Sequence, residues 1–182
     1  GGLKKIMDKT EERILQIIDS RRDDIIAFAR DIYTHAELGY KETHTAHRFE
    51  EQLHTLGLPE IRTGLAVTGV KGYLKEPARA EGPALALIGE LDALRIPNHK
   101  CANPDTQSAH CCGHHAQLAG VVGAAYALTD AGVSETLAGN VVFFAVPAEE
   151  YGEIEFKNSL REQGVIRYGG GKCELIRIGA FD

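Results

Sequence analysis

The stretch Val141-Val142-Phe143-Phe144-Ala145-Val146, followed by Pro147-Ala148-Glu149-Glu150, decides the fold. An apolar run with no polar alternation is what a strand buried on both faces of a sheet looks like. A second such run, Ala84 to Ile88, lies upstream. Between the two, Leu118, Val121, Val122, Ala125 and Leu128 recur at helical spacing across His114 to Asp130. Strand, helix, strand implies a parallel pair with a right-handed crossover. The small residues Ala116, Ala119, Gly120, Gly123 and Ala124 would let that helix lie close against the sheet. The expected fold class is α/β: a three-layer α/β/α arrangement with a mostly parallel, buried sheet and flanking helices.

Working outward, the first sixty residues read as three helices. Ile14, Ile17 and Ile18 form one apolar face; Ser20 with Asp23 looks like the cap and third-position acid of a new helix whose face is Ile25, Phe28, Ala29 and Ile32. Ala46, Phe49, Leu53 and Leu56 mark a third helix that stops at Gly57. Val67 to Leu74, broken by Gly69 and Gly72, suggests a strand near a bulge or an edge. Beyond Pro147 a helix is expected around Phe156 to Gln163 and a short one over Glu174 to Ile178.

The 182 residues fit one domain, and 43% apolar with 25% charged residues is the mix of an ordinary globular protein. A net charge of −6 without a dense Lys/Arg run argues against nucleic acid as a partner. No segment is apolar for long enough to span a membrane, and the N-terminus lacks the apolar core of a secretory signal. The leading Gly1-Gly2 is consistent with a tag remnant. Four cysteines, two of them adjacent, do not have the spacing of a small secreted scaffold, so reduced thiols and a cytoplasmic protein are expected.

Chemistry concentrates in His110-Cys111-Cys112-Gly113-His114-His115 and in Glu149-Glu150. Gly113 between Cys112 and His114 suits a tight turn in which thiolate and imidazole reach one ion, and both are ligand types for zinc and other first-row metals. Adjacent carboxylates directly after a buried strand are poorly explained by packing. One could ligate an ion while the other takes a proton from the bound water, the division of labour of metal-assisted hydrolysis. Sites in open α/β sheets form outside the carboxyl ends of the parallel strands. Glu90 and Asp92 end the first run, Glu149-Glu150 follow the second, and the Cys/His cluster opens the helix between them, so all three should converge on one rim.

In order along the chain, His35-Ala36-Glu37-Leu38-Gly39, Gly89-Glu90-Leu91-Asp92-Ala93-Leu94, His110-Cys111-Cys112-Gly113-His114-His115 and Pro147-Ala148-Glu149-Glu150 resemble the motifs of the M20 metallopeptidase family. The branch most similar is its amidohydrolase subfamily of aminoacylases, hippurate hydrolases, auxin-conjugate hydrolases and aminobenzoyl-glutamate hydrolases. The resemblance implies a zinc-exopeptidase-like fold and a site for two divalent metal ions (zinc, manganese, nickel or cobalt). It implies Cys112, His114 and Glu150 as metal ligands and Glu149 as the general base. Asp92 becomes the outer carboxylate that orients a ligand, with Glu90, His110 and His115 in supporting positions around the ligands. The implied reaction is hydrolysis of the amide of a small N-acyl or N-aminoacyl amino acid, or a dipeptide-like substrate.

Three positions depart from the family. His115 stands where Asp or Asn is usual and could be an added ligand, a supporting group or a specificity feature; Ala36 and Arg95 replace prolines. Asn98 to Ser108 reads as a longer approach loop to the cluster. No histidine follows His115, whereas the family has two more beyond the Glu-Glu pair and then a lid domain. Residues 1–182 are therefore expected to be the N-terminal part of a catalytic domain, with the lid and C-terminal part missing, a partial metal site and no activity alone. Family members often dimerise through the lid, which leaves homo-oligomer formation open. The alternatives are a non-catalytic metal-binding or assembly fragment and, with no Cys-x-x-Cys to support it, a redox protein using Cys111-Cys112. His35 and Glu37 read as structural, and His44, His47 and His54 as surface residues of a helix.

Overall fold

The computed structural model describes residues 8–182; Gly1-Gly2 lies outside them. Three helices come first: α1 (Lys9–Ser20), α2 (Arg22–Thr34) and α3 (Thr43–Thr55). Asp8 caps α1 in a capping box with Glu11. Ser20 is not the cap of α2 that its spacing suggests. It ends α1, with its hydroxyl donating to the Ile17 carbonyl, and Arg21 alone separates the two helices. A serine hydroxyl can satisfy a preceding carbonyl as readily as a following N–H, and the pattern does not say which. Gly57, at φ 67°, follows α3 as expected.

The strands are β1 (Glu60–Leu65), β2 (Gly69–Tyr73), β3 (Ala84–Glu90), β4 (Leu94–Arg95), β5 (Ser108–Ala109) and β6 (Asn140–Val146). Between β5 and β6 runs α4 (His114–Asp130), and after β6 come α5 (Ile154–Glu162) and α6 (Gly171–Arg177). The main sheet has the order β1-β2-β6-β3. β3 and β6 pair in parallel from Ala84↔Asn140 to Glu90↔Val146, and α4 connects them, as the sequence pattern implies.

The α/β class holds, but the sheet is mixed: β1–β2 and β2–β6 are antiparallel. The β1–β2 link is only Ala66 to Thr68, with Ala66 and Val67 at positive φ, and so short a link can only return the chain antiparallel. β1 hides from a hydrophobic pattern because Arg62, Thr63 and Gly64 face water at the sheet's edge.

β6 is central and buried throughout. Val141, Phe143 and Ala145 face a core built with Phe49 and Leu53 of α3 and Leu118, Val122 and Ala125 of α4; α1 and α2 add Ile17, Phe28 and Ile32. Val142, Phe144 and Val146 face the opposite side, against Tyr73, Leu175 of α6 and Ala180. Helices thus cover both faces, giving three layers. Gly89 is what lets α4 come close, because a Cβ there would sit 2.8 Å from a Leu118 methyl.

Ala84 to Ile88 is not the centrally buried strand that its composition suggests. β3 lies at the edge, and Leu85 is 65% exposed. A run of apolar residues says that two faces want cover, but only the assembled sheet says which chain supplies it.

Candidate metal centre

Both parallel strands end at the same level, since Glu90 is in register with Val146. Beyond those ends the chain places Asp92 on one side and Glu149-Glu150 on the other, while α4 begins at His114 between them. Gly113 precedes the helix at φ 92°, the left-handed region in which glycine avoids the Cβ clash. The expected convergence on one rim is therefore present.

His114, almost wholly buried, is the hub. Its Nδ1 lies 2.7 Å from the Asp92 carbonyl oxygen and 3.5 Å from Asp92 Oδ1. Its Nε2 lies 3.0 Å from Glu90 Oε2 and 3.8 Å from Glu149 Oε2. Burial alone would disfavour its charge, but the hydrogen bonds to Asp92 and the charges of Asp92 and Glu90 outweigh this and raise its pKa to about 9. Glu90, His114 and Glu149 offer ligand atoms within 4.8 Å of one another, close enough for one ion.

Cys112 belongs to the same rim. Its thiol is hydrogen-bonded to Glu150, and that bond, with some burial and the charges of Glu150 and Glu149, pushes its pKa up to about 11. The structure thus brings Cys112 to Glu150 and His114 to Glu149. Asp92 is fully buried; its Oδ2 accepts from the Glu150 N–H at 2.9 Å, while Oδ1 has no hydrogen-bond partner. An orphaned buried carboxylate oxygen beside such donors is the feature of a site built for a cation.

His110 and His115 flank this group. His115 packs on Tyr33 (ring centroids 4.9 Å) and on His110 (5.4 Å), and His110 has neither ring nitrogen hydrogen-bonded. Burial, with the neighbouring His115 and His114 charges, lowers the His110 pKa to about 4. Cys111 is exposed, and all four cysteines are free.

Several residues that build the site have no signature in the sequence. Ala148, at φ 47°, donates its N–H to Glu42 Oε1 at 2.8 Å, and the Thr68 hydroxyl donates to Glu42 Oε2 at 2.6 Å. Burial pushes the Glu42 pKa up to about 7, against the opposing effect of those two hydrogen bonds. Lys157, buried and with its pKa lowered by that burial, donates to the Glu150 carbonyl at 2.6 Å. Lys172 pairs with Glu90, and Gln117 Oε1 accepts the Glu90 N–H at 2.8 Å. Glu42 precedes α3 and so resembles a helix-start acid, while a lysine in an amphipathic helix resembles a solvated one. Neither pattern betrays burial.

Curated relatives share this chain's sequence. An N-acetylcysteine deacetylase of Bacillus subtilis is 32% identical over 134 residues, 69% of this chain and 33% of the relative. An IAA-amino acid hydrolase ILR1-like protein of Arabidopsis thaliana is 34% identical over 135 residues, 71% of this chain and 29% of the relative. The crystal structure of a Bacillus subtilis dinuclear metal-binding peptidase from the M20 family superposes with a TM-score of 0.62 and 29% identity, over 81% of this chain and 40% of that one.

In sequence and fold the chain resembles the M20 metallopeptidases. No family model matches it. It spans about a third of the length of the curated relatives it matches. The resemblance of the four motifs to M20 sequences is thus matched by the fold and by divalent-metal donor chemistry at the rim. No helix among the described residues is long and apolar enough to cross a membrane.

Proposed function

We propose that residues 1–182 form the N-terminal part of the catalytic domain of a metal-dependent amidohydrolase that cleaves the amide bond of an N-acyl or N-aminoacyl amino acid. The observation that carries this reading is the cluster of Glu90, His114 and Glu149 beside the Cys112–Glu150 pair, at the ends of two parallel strands. The two relatives, by their names, act on an N-acetylated amino acid and on an IAA-amino acid, which supports the substrate class. The bare edge of β3 suits further strands supplied by the rest of such a domain. Four free, exposed cysteines suit a reducing, cytoplasmic setting.

The residues present fit a divalent transition metal. Sulfur, imidazole and carboxylate donors converge, with Cys112 beside Glu150 and His114 Nε2 3.0 Å from Glu90. Cys112, His114 and Glu150 would hold the metal, zinc, manganese, nickel or cobalt, with partners from outside this chain completing a two-ion site. Such an ion polarises the scissile carbonyl and lowers the pKa of a water to about 7.

The chain's own residues do the rest. Asp92, through its carbonyl, holds His114 Nδ1, leaving Nε2 as the donor atom. The Glu149 side chain, 38% exposed and 3.8 Å from His114 Nε2, reaches solvent and takes the proton of the attacking water, then returns it to the leaving amine. Glu42, Asp92 and Lys157 clamp the backbone of residues 148–150 and fix the reach of both carboxylates.

The test is Glu149→Gln in the full-length, metal-loaded protein, assayed on N-acetyl amino acids and aminobenzoyl-glutamate. The expected outcome is a fall in kcat of about 10²–10⁴-fold, the usual worth of a positioned base, with metal content retained. Failure of the parent to cleave any of the panel, or full activity in the variant, would overturn the reading.

A further inference from the structure

The motif His35-Ala36-Glu37-Leu38-Gly39 has no part in the chemistry above, yet it sits beside a second cluster of metal-ligating side chains. We propose that Asp31, His35 and His44 form a separate structural site for a zinc-class divalent ion, stapling the end of α2 to the start of α3. This inference does not rest on the proposed hydrolytic function, and it shares no residue with the rim.

Donor spacing comes first. His35 Nδ1 lies 3.1 Å from Asp31 Oδ1, and His44 Nε2 lies 3.2 Å from Asp31 Oδ2. The three residues offer ligand atoms within 4.8 Å of one another. Donors bonded to zinc at about 2.0–2.1 Å in a tetrahedron stand roughly 3.3 Å apart, so the side chains need only small rotations to close on an ion. The two imidazole rings lie with centroids 4.4 Å apart, side by side on the one carboxylate.

Rigid supports hold all three donors. Glu37 accepts hydrogen bonds from the N–H groups of His44 and Thr45, at 3.0 and 2.8 Å, and from the hydroxyls of Thr43 and Thr45, so it fixes the first turn of α3 and with it His44. His35 is the residue that closes α2, and Asp31 lies one turn earlier. Arg48 Nε donates to Asp31 Oδ2 at 2.7 Å and orients the carboxylate, while the Arg48 charge is shared with Glu51. Partial burial disfavours the Asp31 charge, but the hydrogen bonds from Arg48 and His44 prevail and hold its pKa below the ordinary value.

Protons balance simply. His35 Nδ1 now lies 2.8 Å from the Asp31 carbonyl oxygen. Shifting its proton to the water-facing Nε2 presents the Nδ1 lone pair to the ion, and water would fill the fourth position. The two imidazole donors favour zinc, nickel, cobalt or copper over magnesium and calcium.

Cobalt(II) titration of the 182-residue chain carrying Cys112→Ser, His114→Ala and Glu150→Gln removes the proposed rim ligands and isolates this site. One equivalent is expected, with the visible absorption of a low-coordinate ion. Adding His35→Gln and His44→Gln should weaken binding by more than the roughly 10–100-fold that loss of a mere supporting partner costs. Unchanged binding would overturn the proposal.

A second measurement uses the unaltered protein: carbethoxylation mapped by mass spectrometry, with and without zinc. Zinc should protect His35 and His44 several-fold but leave His47 and His54, more exposed on the same helix α3, reacting as before. Equal rates at His35 and His44 with and without zinc would refute the site even if the variants failed to fold.

Discussion

Replacing Glu42 by glutamine should remove the loss of stability that this one carboxyl causes between pH 5 and 8. Glu42 is completely buried, and its pKa is raised from 4.5 to about 7. A carboxyl whose folded pKa exceeds its unfolded value holds its proton more tightly in the folded state. Its contribution is fully present below pH 4.5 and is lost as pH rises through about 7. At about 1.36 kcal/mol per unit, the whole loss is about 3 kcal/mol, most of which falls between pH 5 and 8.

Glutamine has the same shape and no proton to lose. Its carbonyl can still accept from the Ala148 N–H, and the Thr68 hydroxyl can rotate to accept from its amide. The stability of Glu42→Gln minus that of the parent should therefore rise by about 2–3 kcal/mol from pH 5 to 8. Urea unfolding of both proteins at unit pH steps, in chelator, measures it. His110, its pKa lowered to about 4, adds stability as pH rises towards 6.5, and His114, raised to about 9, loses it above 6.5. Both groups are common to the two proteins and cancel in the difference. Parallel pH profiles would refute the reasoning, because Glu42 would then not carry a buried titration.

Lys157→Met keeps the aliphatic stem but leaves the Glu150 carbonyl without its donor. It should cost about 1–3 kcal/mol in urea unfolding and shift the Glu42 titration upward, since a cation near Glu42 is lost. An unmoved midpoint would show that the two groups do not interact. Gly171→Ala would set a Cβ 1.7 Å from the Pro147 carbonyl oxygen, which is backbone and cannot swing aside. A loss of at least about 1–3 kcal/mol is expected from such overpacking, together with release of Lys172 from Glu90. Unchanged stability in the same assay would mean that α6 can shift freely.

Much of the site was legible in the sequence because its signals are local. A turn glycine between Cys112 and His114, and two acids directly after an unbroken apolar run, mark strand and helix ends without reference to the rest of the chain. α4 runs from His114 to Asp130, the span its spacing indicates. What stayed hidden depends on neighbours distant in sequence. Glu42 meets Ala148 across 106 residues, and Lys172 meets Glu90 across 82.

By itself, then, the sequence determined the α/β class, the parallel pair with its connecting helix, and the rim on which Cys112, His114 and the two glutamates meet. Hydrophobic periodicity and glycine stereochemistry act within a few residues and can be read there. Only the tertiary structure decided that β3 is an edge, that β1 and β2 run antiparallel to β6, and that His114 lies between Glu90 and Glu149. Burial and charge pairing are properties of a folded neighbourhood, fixed by which distant segments come to lie against one another.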